Sequence, residues 1–312
     1  MAEEISLRDA YGKTLLQRGR ENRDIVVLDA DLSRSTMTYY FAKEFPDRFF
    51  DCGIAEQNMV SIAAGLAASG KIPIASTFAV FAPGRCFDQI RMSIAQPGRN
   101  VKIVATHGGI TVGEDGTSHQ AVEDLALICS LPGFTVIVPA DAIETAQAVR
   151  VAALSPGPFY IRLGRPKLPL VYSEDYRFSL GKAVTMGEGR GATIIAIGVM
   201  VAAAIEAAEE LKTAGIDCRV LSMPTLKPID EAAIIKAAVE TGAIVTAEEH
   251  LEHGGLGSRV AQVVARNKPV PMELVAIKDT YAKSGKPSEL LKKHGLTAKD
   301  IAQAVRKVVE RK

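Results

Sequence analysis

Short apolar strand patterns alternate with helical patterns along nearly the whole chain, and this alternation restricts the possible folds more than any other feature. Strand-like runs such as IVVLDA (residues 25–30) are separated by segments whose apolar residues recur at three- and four-residue spacing. Apolar strands separated by helices are typical of parallel sheets that are covered on both faces. The pattern therefore predicts an α/β fold with doubly wound, mostly parallel sheets.

The alternation falls into two blocks. The first predicts strands at 25–30, 73–78, 101–106, 135–140 and 159–163, and helices from 56, over 84–95, 120–130 and 142–154. The second predicts strands at 192–198, 218–223, 243–249 and 272–277, and helices over 200–214, 230–241, 256–266 and 297–311. The last helix carries a capping box, Thr297 with Asp300.

Residues 164–191 interrupt this rhythm with prolines, the charged run SEDYRFS and the glycines of GEGRG. No phosphate-binding glycine spacing is present there, so GEGRG is interpreted as a turn. We therefore expect two domains, residues 1–170 and 191–312, joined by a linker at 171–190.

The composition excludes several classes of protein. With 37 basic and 36 acidic residues the formal charge is +1, which argues against nucleic acid or a membrane surface as the main partner. The four cysteines lie far apart without CxxC pairing, which argues against a zinc site or a disulfide framework. The amino terminus MAEEISLRDAYG does not read as a secretory signal, and no apolar run reaches the roughly 20 residues of a membrane span. We expect a cytoplasmic protein.

The run FDCGIAEQNM, residues 50–59, places one carboxylate, Glu56, in the first turn of an apolar helix. An acidic residue there could simply complement the helix dipole. The next strand, however, ends in TFAVF, with Phe78 and Phe81. Two such phenylalanines in isolation would be core residues. A carboxylate together with flat apolar rings suits a nitrogen heterocycle.

A second polar constellation lies in THGGITVGEDGTSHQ, residues 106–120. It holds His107, Asp115 and His119 in a glycine-rich segment between a predicted strand and a predicted helix. Open α/β sheets place their ligands at this position. A single histidine there would more often be structural, but two histidines with acidic residues between them indicate a binding site.

These motifs together resemble thiamine-diphosphate enzymes. GIAEQ followed by an AAGLA helix is also similar to 1-deoxyxylulose-5-phosphate synthase, whereas ATH before VGEDGTSHQ resembles transketolase in particular. The resemblance covers nearly the whole chain. It implies a pyrimidine-binding domain followed by a transketolase C-terminal domain, and transfer of a two-carbon ketol unit from a ketose phosphate to an aldose phosphate.

The resemblance also implies roles for individual residues. Glu56 would hydrogen-bond the pyrimidine nitrogen para to the amino group and favour the imino tautomer, whose nitrogen then removes the thiazolium proton. Ten residues would contact cofactor or substrate. The cofactor would be contacted by Glu56, Phe81, Phe78, Asp31 and His119. The sugar phosphate would be surrounded by His107, Asp115, Arg8, Ser35 and Arg165, together with His119, which would contact both. Glu56, His119 and His107 would be catalytic, and no metal ligand is expected. Gly84 stands where the family has a tyrosine, which leaves that side of the pocket more open or filled from elsewhere.

The family's diphosphate-binding domain carries GDG and a downstream asparagine that hold Mg²⁺ or Ca²⁺. This sequence has no GDG. We therefore expect a partner polypeptide, the amino-terminal transketolase subunit, to anchor the diphosphate and the metal in an α2β2 assembly. The chain alone is then expected to be inactive. EEHLEHGGLGS, residues 248–258, is assigned to structure or subunit contact rather than to metal binding.

Three alternatives remain open from the sequence. One is a 1-deoxyxylulose-5-phosphate synthase fragment, which GIAEQ favours but His107 and GEDGTSH disfavour. Another is the beta subunit of a 2-oxo acid dehydrogenase, which has the same domain order and a separate alpha chain. The third is a non-catalytic paralogue with a regulatory or scaffolding role, against which the retained Glu56 and histidines speak.

Overall fold

The first half of the chain builds a parallel sheet from the strands that the alternation predicts. The structure, a computed structural model, describes residues 4–312. Its strands are β1 (Glu4–Ser6), β2 (Ile25–Asp29), β3 (Phe49–Asp51), β4 (Ile72–Phe78), β5 (Lys102–Thr106), β6 (Thr135–Ile137), β7 (Phe159–Arg162) and β8 (Lys167–Pro169). Six of them form parallel neighbours in the order β6-β7-β5-β4-β2-β3. The other two, β1 and β8, pair antiparallel with each other.

The second half builds a five-stranded sheet. Its strands are β9 (Val184–Gly187), β10 (Ala192–Ala196), β11 (Cys218–Ser222), β13 (Ile244–Leu251) and β14 (Met272–Ile277), in the order β14-β13-β10-β11-β9. All pairs are parallel except β11 with β9. The predicted fold class is thus confirmed: two α/β domains with mostly parallel sheets.

Helices cover these sheets. They are α1 (Leu7–Glu21), α2 (Ser33–Thr36), α3 (Tyr39–Glu44), α4 (Glu56–Ala68), α5 (Ala82–Gln89), α6 (Asp124–Ser130), α7 (Ala142–Leu154), α8 (Met200–Thr213), α9 (Glu231–Thr241), α10 (Leu256–Asn267), α11 (Pro287–Lys293) and α12 (Ala298–Val309). The Thr297 and Asp300 capping box at the start of α12 is present as predicted. α5 continues as a π-helix over Ile90–Ala95.

Two predicted elements are at least three residues shorter than their sequence patterns. The strand expected to reach residue 140 ends at Ile137, and the Val138 amide that follows donates to the carbonyl of Pro224 in the second half (2.8 Å). The helix expected from residue 120 begins at Asp124, because a 3-10 turn at Thr117–His119 and a bridge between Gly108 and Ala121 precede it. The first difference depends on a residue distant in sequence, and the second on the turn that precedes the helix.

The two halves share a sheet edge and a core. Strand β12 (Thr225–Lys227) pairs antiparallel with β6, so a strand from the second half becomes the seventh strand of the first sheet. The largest apolar cluster contains Leu28 and Ala75 from the first half and Leu221 and Val260 from the second. The halves are therefore packed as one body.

In the predicted linker, residues 171–190, the structure places strand β9. Three of the four cysteines, Cys86, Cys129 and Cys218, are buried, and all four are free thiols. Over residues 4–312, no helix is long and apolar enough to cross a membrane. Within the same range no group of three or more His, Cys, Asp and Glu side chains could hold a metal ion.

The EEHLEHGGLGS segment has a structural task. The Glu248 carboxylate accepts hydrogen bonds from the Leu256 and Gly257 amides (2.7 and 2.8 Å), which are free donors at the start of α10. A Cβ on Gly255 would lie 2.1 Å from a Glu248 oxygen, so the connection between β13 and α10 needs glycine there. His250 is buried and bonds the Leu251 carbonyl (2.7 Å).

Candidate active site

Glu56 is the first residue of α4, and its side chain is only 3% exposed. No side chain caps this helix, so the carboxylate is not explained by capping geometry. Instead, Oε2 of Glu56 lies 3.1 Å from Nη1 of Arg85. A buried carboxylate with one half-exposed partner is an unusual arrangement for a purely structural residue.

Arg85 was not among the residues predicted from the sequence. It lies on α5, and its Cζ is 4.1 Å from the centroid of the Phe81 ring. The spacing was an available signal, since Phe81 and Arg85 are four residues apart at the start of a helix and so lie on one face. No local pattern in the sequence indicates that Arg85 pairs with Glu56, which lies 29 residues away.

The two phenylalanines and two histidines form one aromatic cluster. Phe78 ends β4 and Phe81 precedes α5, and their rings are stacked with centroids 5.6 Å apart. The His107 ring lies 3.8 Å from Phe78, and the His119 ring meets Phe81 edge-on at 5.4 Å. The parallel pairing of β4 with β5 brings them together, because Phe78 stands opposite Thr106 in the sheet.

His107 follows β5 directly and is 3% exposed. Its backbone φ is +60°, a conformation uncommon for residues other than glycine and found at functional sites. Nδ1 of the ring lies 2.8 Å from the Thr106 hydroxyl. Burial, and then the charges of Arg8 and Arg165, lower the pKa of His107 from 6.5 to about 3. The ring is therefore neutral at pH 7.

His119 and Asp115 lie on the loop between β5 and α6. His119 is partly buried and its Nδ1 is 2.9 Å from the Ser118 hydroxyl. Asp115 is exposed at the end of a 3-10 segment, Ile110–Asp115. His119 thus belongs to the aromatic cluster, while the Asp115 carboxylate faces solvent.

Arg8, Ser35 and Arg165 come together from three distant parts of the chain. Arg8 donates to the Ser35 carbonyl (2.8 Å) and to the Arg165 carbonyl (3.3 Å). Arg165 in turn donates to the Val112 carbonyl and pairs with Glu114 at 3.2 Å. The structure thus joins these residues to the loop of His119, although Ser35 takes part through its backbone.

The charges in this group affect one another. Burial, followed by the nearby Arg165, lowers the pKa of Arg8. Among the described residues, the buried Nε of Arg8 has no hydrogen-bond partner. Two guanidinium groups held close together, with a donor still free, are suited to an anionic ligand.

Asp31 lies just beyond the end of β2, at the same edge of the sheet as Phe78 and His107. Its φ is +60° and its amide donates to the Asp51 carboxylate (3.0 Å). The side chain is exposed. The neighbouring Asp29, which was not predicted as a site residue, is buried. Burial raises its pKa to about 6, although hydrogen bonds from Thr36 and Thr38 act to lower it.

Residues of the second half hold the loop that carries His119. The Thr111 amide donates to Oε1 of Glu249 on β13 (2.6 Å), and the Thr117 hydroxyl donates to the Ala282 carbonyl (2.6 Å). A Cβ on Gly109 would lie 2.1 Å from the Glu249 carboxyl carbon. These contacts span up to 165 residues, so no local sequence signal could have indicated them.

Gly84 leaves one side of this region open. It is exposed, and a Cβ built on it would meet no heavy atom of the described residues within 4 Å. The position therefore has room for a larger side chain or for another molecule.

Comparison with known proteins bears on this arrangement. Residues 3–171 match the model of the transketolase pyrimidine-binding domain, and residues 181–301 match the model of the transketolase C-terminal domain. The chain belongs to the transketolase family.

Relatives within the family include half-length chains. The chain is 47% identical over 302 residues to a protein of Methanocaldococcus jannaschii described as a transketolase C-terminal section, covering 96% of this chain and 95% of that one. It is 43% identical to the 6-deoxy-6-sulfo-D-fructose transketolase subunit SqwH of Clostridium sp., covering 99% and 96%. By contrast, it spans about half (50%) of human transketolase.

A solved structure described as a split gene transketolase, an inactive beta4 tetramer, superposes with a TM-score of 0.91. It is 52% identical to this chain and the match covers 99% of this chain and 100% of that one. The fold and family expected from GIAEQ and VGEDGTSHQ are therefore confirmed.

Proposed function

We propose that the chain is the C-terminal subunit of a split, thiamine-diphosphate-dependent transketolase. The reaction is transfer of a two-carbon ketol unit from a ketose phosphate to an aldose phosphate, a glycolaldehyde transfer. The observation that carries the proposal is the buried Glu56 carboxylate joined through Arg85 to the ring of Phe81, which stacks with Phe78 in one cluster with His107 and His119.

The donor set fits the pyrimidine end of thiamine diphosphate. Glu56 would hold the ring nitrogen, and Phe81 would stack on the ring while Phe78 lines the same pocket. His119, edge-on to Phe81, would stand by the amino group. Asp31 would lie near the thiazolium. When bound, the cofactor supplies the carbanion-stabilising centre that the transfer needs.

The phosphate end of the substrate would be held by charge. Arg8 and Arg165 offer guanidinium groups, which grip phosphate in a planar fork, with Ser35 beside them. His107 is neutral at pH 7, because its pKa is about 3, so it would act as a hydrogen-bond partner of the sugar. Asp115, exposed on the loop, would read a sugar hydroxyl.

A partner polypeptide would supply the diphosphate-binding domain with Mg²⁺ or Ca²⁺. Two half-length relatives are described as a section or a subunit, which supports a division of the enzyme between two chains. We propose an α2β2 assembly in the cytoplasm in which this chain also associates with itself. Residues 1–170 would form the pyrimidine-binding domain and residues 191–312 the C-terminal domain.

Reconstitution tests this assignment. The purified chain with thiamine diphosphate, Mg²⁺ and sugar phosphates should show no turnover until a polypeptide carrying GDG and the downstream asparagine is added. Turnover by this chain alone would contradict the division into two subunits. If the two chains do not co-purify and their mixture has no activity, the proposal that this chain works with such a partner is wrong.

A matched pair of variants tests Glu56 in the assembled complex. Glu56→Ala should lower kcat by about a hundredfold or more, since the residue would act on the reacting centre. Glu231 is also the first residue of its helix, but it is exposed. Glu231→Ala should therefore leave kcat unchanged. Equal activities of the two variants would contradict a catalytic role of Glu56 and leave only its favourable interaction with the helix dipole.

A sulfonated ketose is a second candidate donor. The relative at 43% identity is named for 6-deoxy-6-sulfo-D-fructose, and a pair of arginines can bind sulfonate oxygens as well as phosphate oxygens. Competition between the two donors in the reconstituted complex distinguishes them through the ratio of their kcat/KM values.

A further inference from the structure

Arg85 makes two contacts at once in the candidate site. Its Nη1 lies 3.1 Å from Oε2 of Glu56, and its Cζ lies 4.1 Å from the centroid of the Phe81 ring. A flat, nitrogen-rich group therefore both hydrogen-bonds the buried carboxylate and stacks on the aromatic ring. These are the same two interactions that the proposed function assigns to the pyrimidine ring.

We propose that Arg85 occupies the pyrimidine position in the chain without cofactor, and that its side chain must move out before the pyrimidine can bind. This inference rests on the proposed function. One oxygen of Glu56 and one face of Phe81 cannot serve two planar groups at the same time. Arg85 is therefore a competitor for the site, displaced on binding, and not a further ligand of the ring.

The surroundings explain why an arginine is kept there. Glu56 is 3% exposed, and an ionised carboxylate at that depth is unfavourable without a partner. Arg85 neutralises it while the pyrimidine is absent. Because the Arg85 side chain is 45% exposed, the ion pair is weak enough to be broken by a ligand.

The backbone allows the side chain to move by itself. Nε2 of Gln57, the neighbour of Glu56, donates to the Arg85 carbonyl (2.7 Å), which ties α5 to α4. The preceding residue is Gly84, around which the described residues leave open space. The guanidinium can thus swing toward solvent while the two helices stay in register.

Binding of 4-amino-2,5-dimethylpyrimidine, the ring of the cofactor without its diphosphate, tests the proposal on the full chain. Isothermal titration calorimetry would compare wild type with Arg85→Ala. Removing the ion pair and the stacked guanidinium should tighten binding by about tenfold. Arg91→Ala is the matched control, since Arg91 is exposed further along the same helical segment, and its affinity should equal that of wild type.

The direction of the change decides the outcome. Weaker or unchanged binding by Arg85→Ala would show that Arg85 assists or ignores the ring, and the proposal would be wrong. It would be equally wrong if neither wild type nor Arg85→Ala binds the pyrimidine at millimolar concentration. Glu56→Ala separates this from the proposed function: undiminished binding by that variant would contradict the role of Glu56 whatever Arg85 does.

Discussion

At the scale of single residues, burial and charge decide what each site residue can do. Glu56 is buried beside Arg85, and His107 is buried beside Arg8 and Arg165. The sequence predicted Glu56 and His107 as site residues because each stands at a chain position that suits a ligand. It did not identify Arg85, because the pairing of Arg85 with Glu56 depends on how α4 and α5 pack against each other.

The pKa of His107 leads to a stability prediction. The folded state holds the pKa at about 3, against an ordinary value of 6.5. As the pH falls below 6.5, the unfolded chain binds a proton at this position and the folded chain does not, so the free energy of unfolding decreases toward pH 3. Wild type should therefore lose about 1 kcal/mol more than His107→Asn between about pH 7.5 and about pH 5.5.

Urea denaturation at the two pH values measures this difference. Asparagine is the suitable replacement because it tolerates the positive φ at this position. His253 is exposed, and His253→Asn should retain the wild-type pH dependence. An identical pH dependence in wild type and His107→Asn would contradict a neutral, buried His107.

At the scale of elements, the order of strands and helices follows the sequence closely, but the loops that carry the site do not. The amphipathic and apolar patterns predicted α7 and β14 at their observed bounds, because such elements are set by local spacing. The loop between β5 and α6 has no such periodicity. Its shape depends on Glu249 and on the Ala282 carbonyl, both from the second half.

Gly109 makes the closest contact between this loop and Glu249. An alanine at this position would have to adopt the positive φ of +85°, and its Cβ would lie 2.1 Å from the Glu249 carboxyl carbon. Gly70 has a similar φ of +90°, but no heavy atom of the described residues lies within 4 Å. Gly70→Ala should cost about 1 kcal/mol from backbone strain, and Gly109→Ala about 3 kcal/mol because Glu249 must also shift.

The urea midpoints of the two variants measure this comparison. Hydrogen exchange in the segment 110–119 should also increase in Gly109→Ala and not in Gly70→Ala, because only the first loosens the Thr111 contact. Equal midpoints would show that the loop does not depend on the close approach of Glu249.

At the scale of the whole molecule, the two halves are connected through a buried ion pair and a shared sheet. Arg162 on β7 pairs with Asp124 (3.0 Å) and donates to the Glu249 carbonyl of the second half (3.0 Å). Both charged side chains are at most 5% exposed. Strand β12 extends the first sheet from the other direction. The stability of the first half therefore depends on contacts with the second half.

Arg162→Ala tests this dependence. Removing one partner from a buried ion pair should cost about 3–5 kcal/mol, because Asp124 is left buried without its charge partner. Arg20 forms an exposed pair with Glu44, so Arg20→Ala should leave the urea midpoint at the wild-type value. Circular dichroism in urea measures both variants, and similar midpoints for the two would contradict the stabilising role of the buried ion pair.

The local patterns were sufficient for the fold class and for most element bounds, because strands and helices depend on spacing within a few residues. The tertiary structure decided the rest. Arg85, Glu249 and β12 act over sequence distances of 29, 138 and about 90 residues, with Thr225 opposite Ile137. Such pairings are chosen by packing between elements, and packing leaves no periodic trace in the sequence.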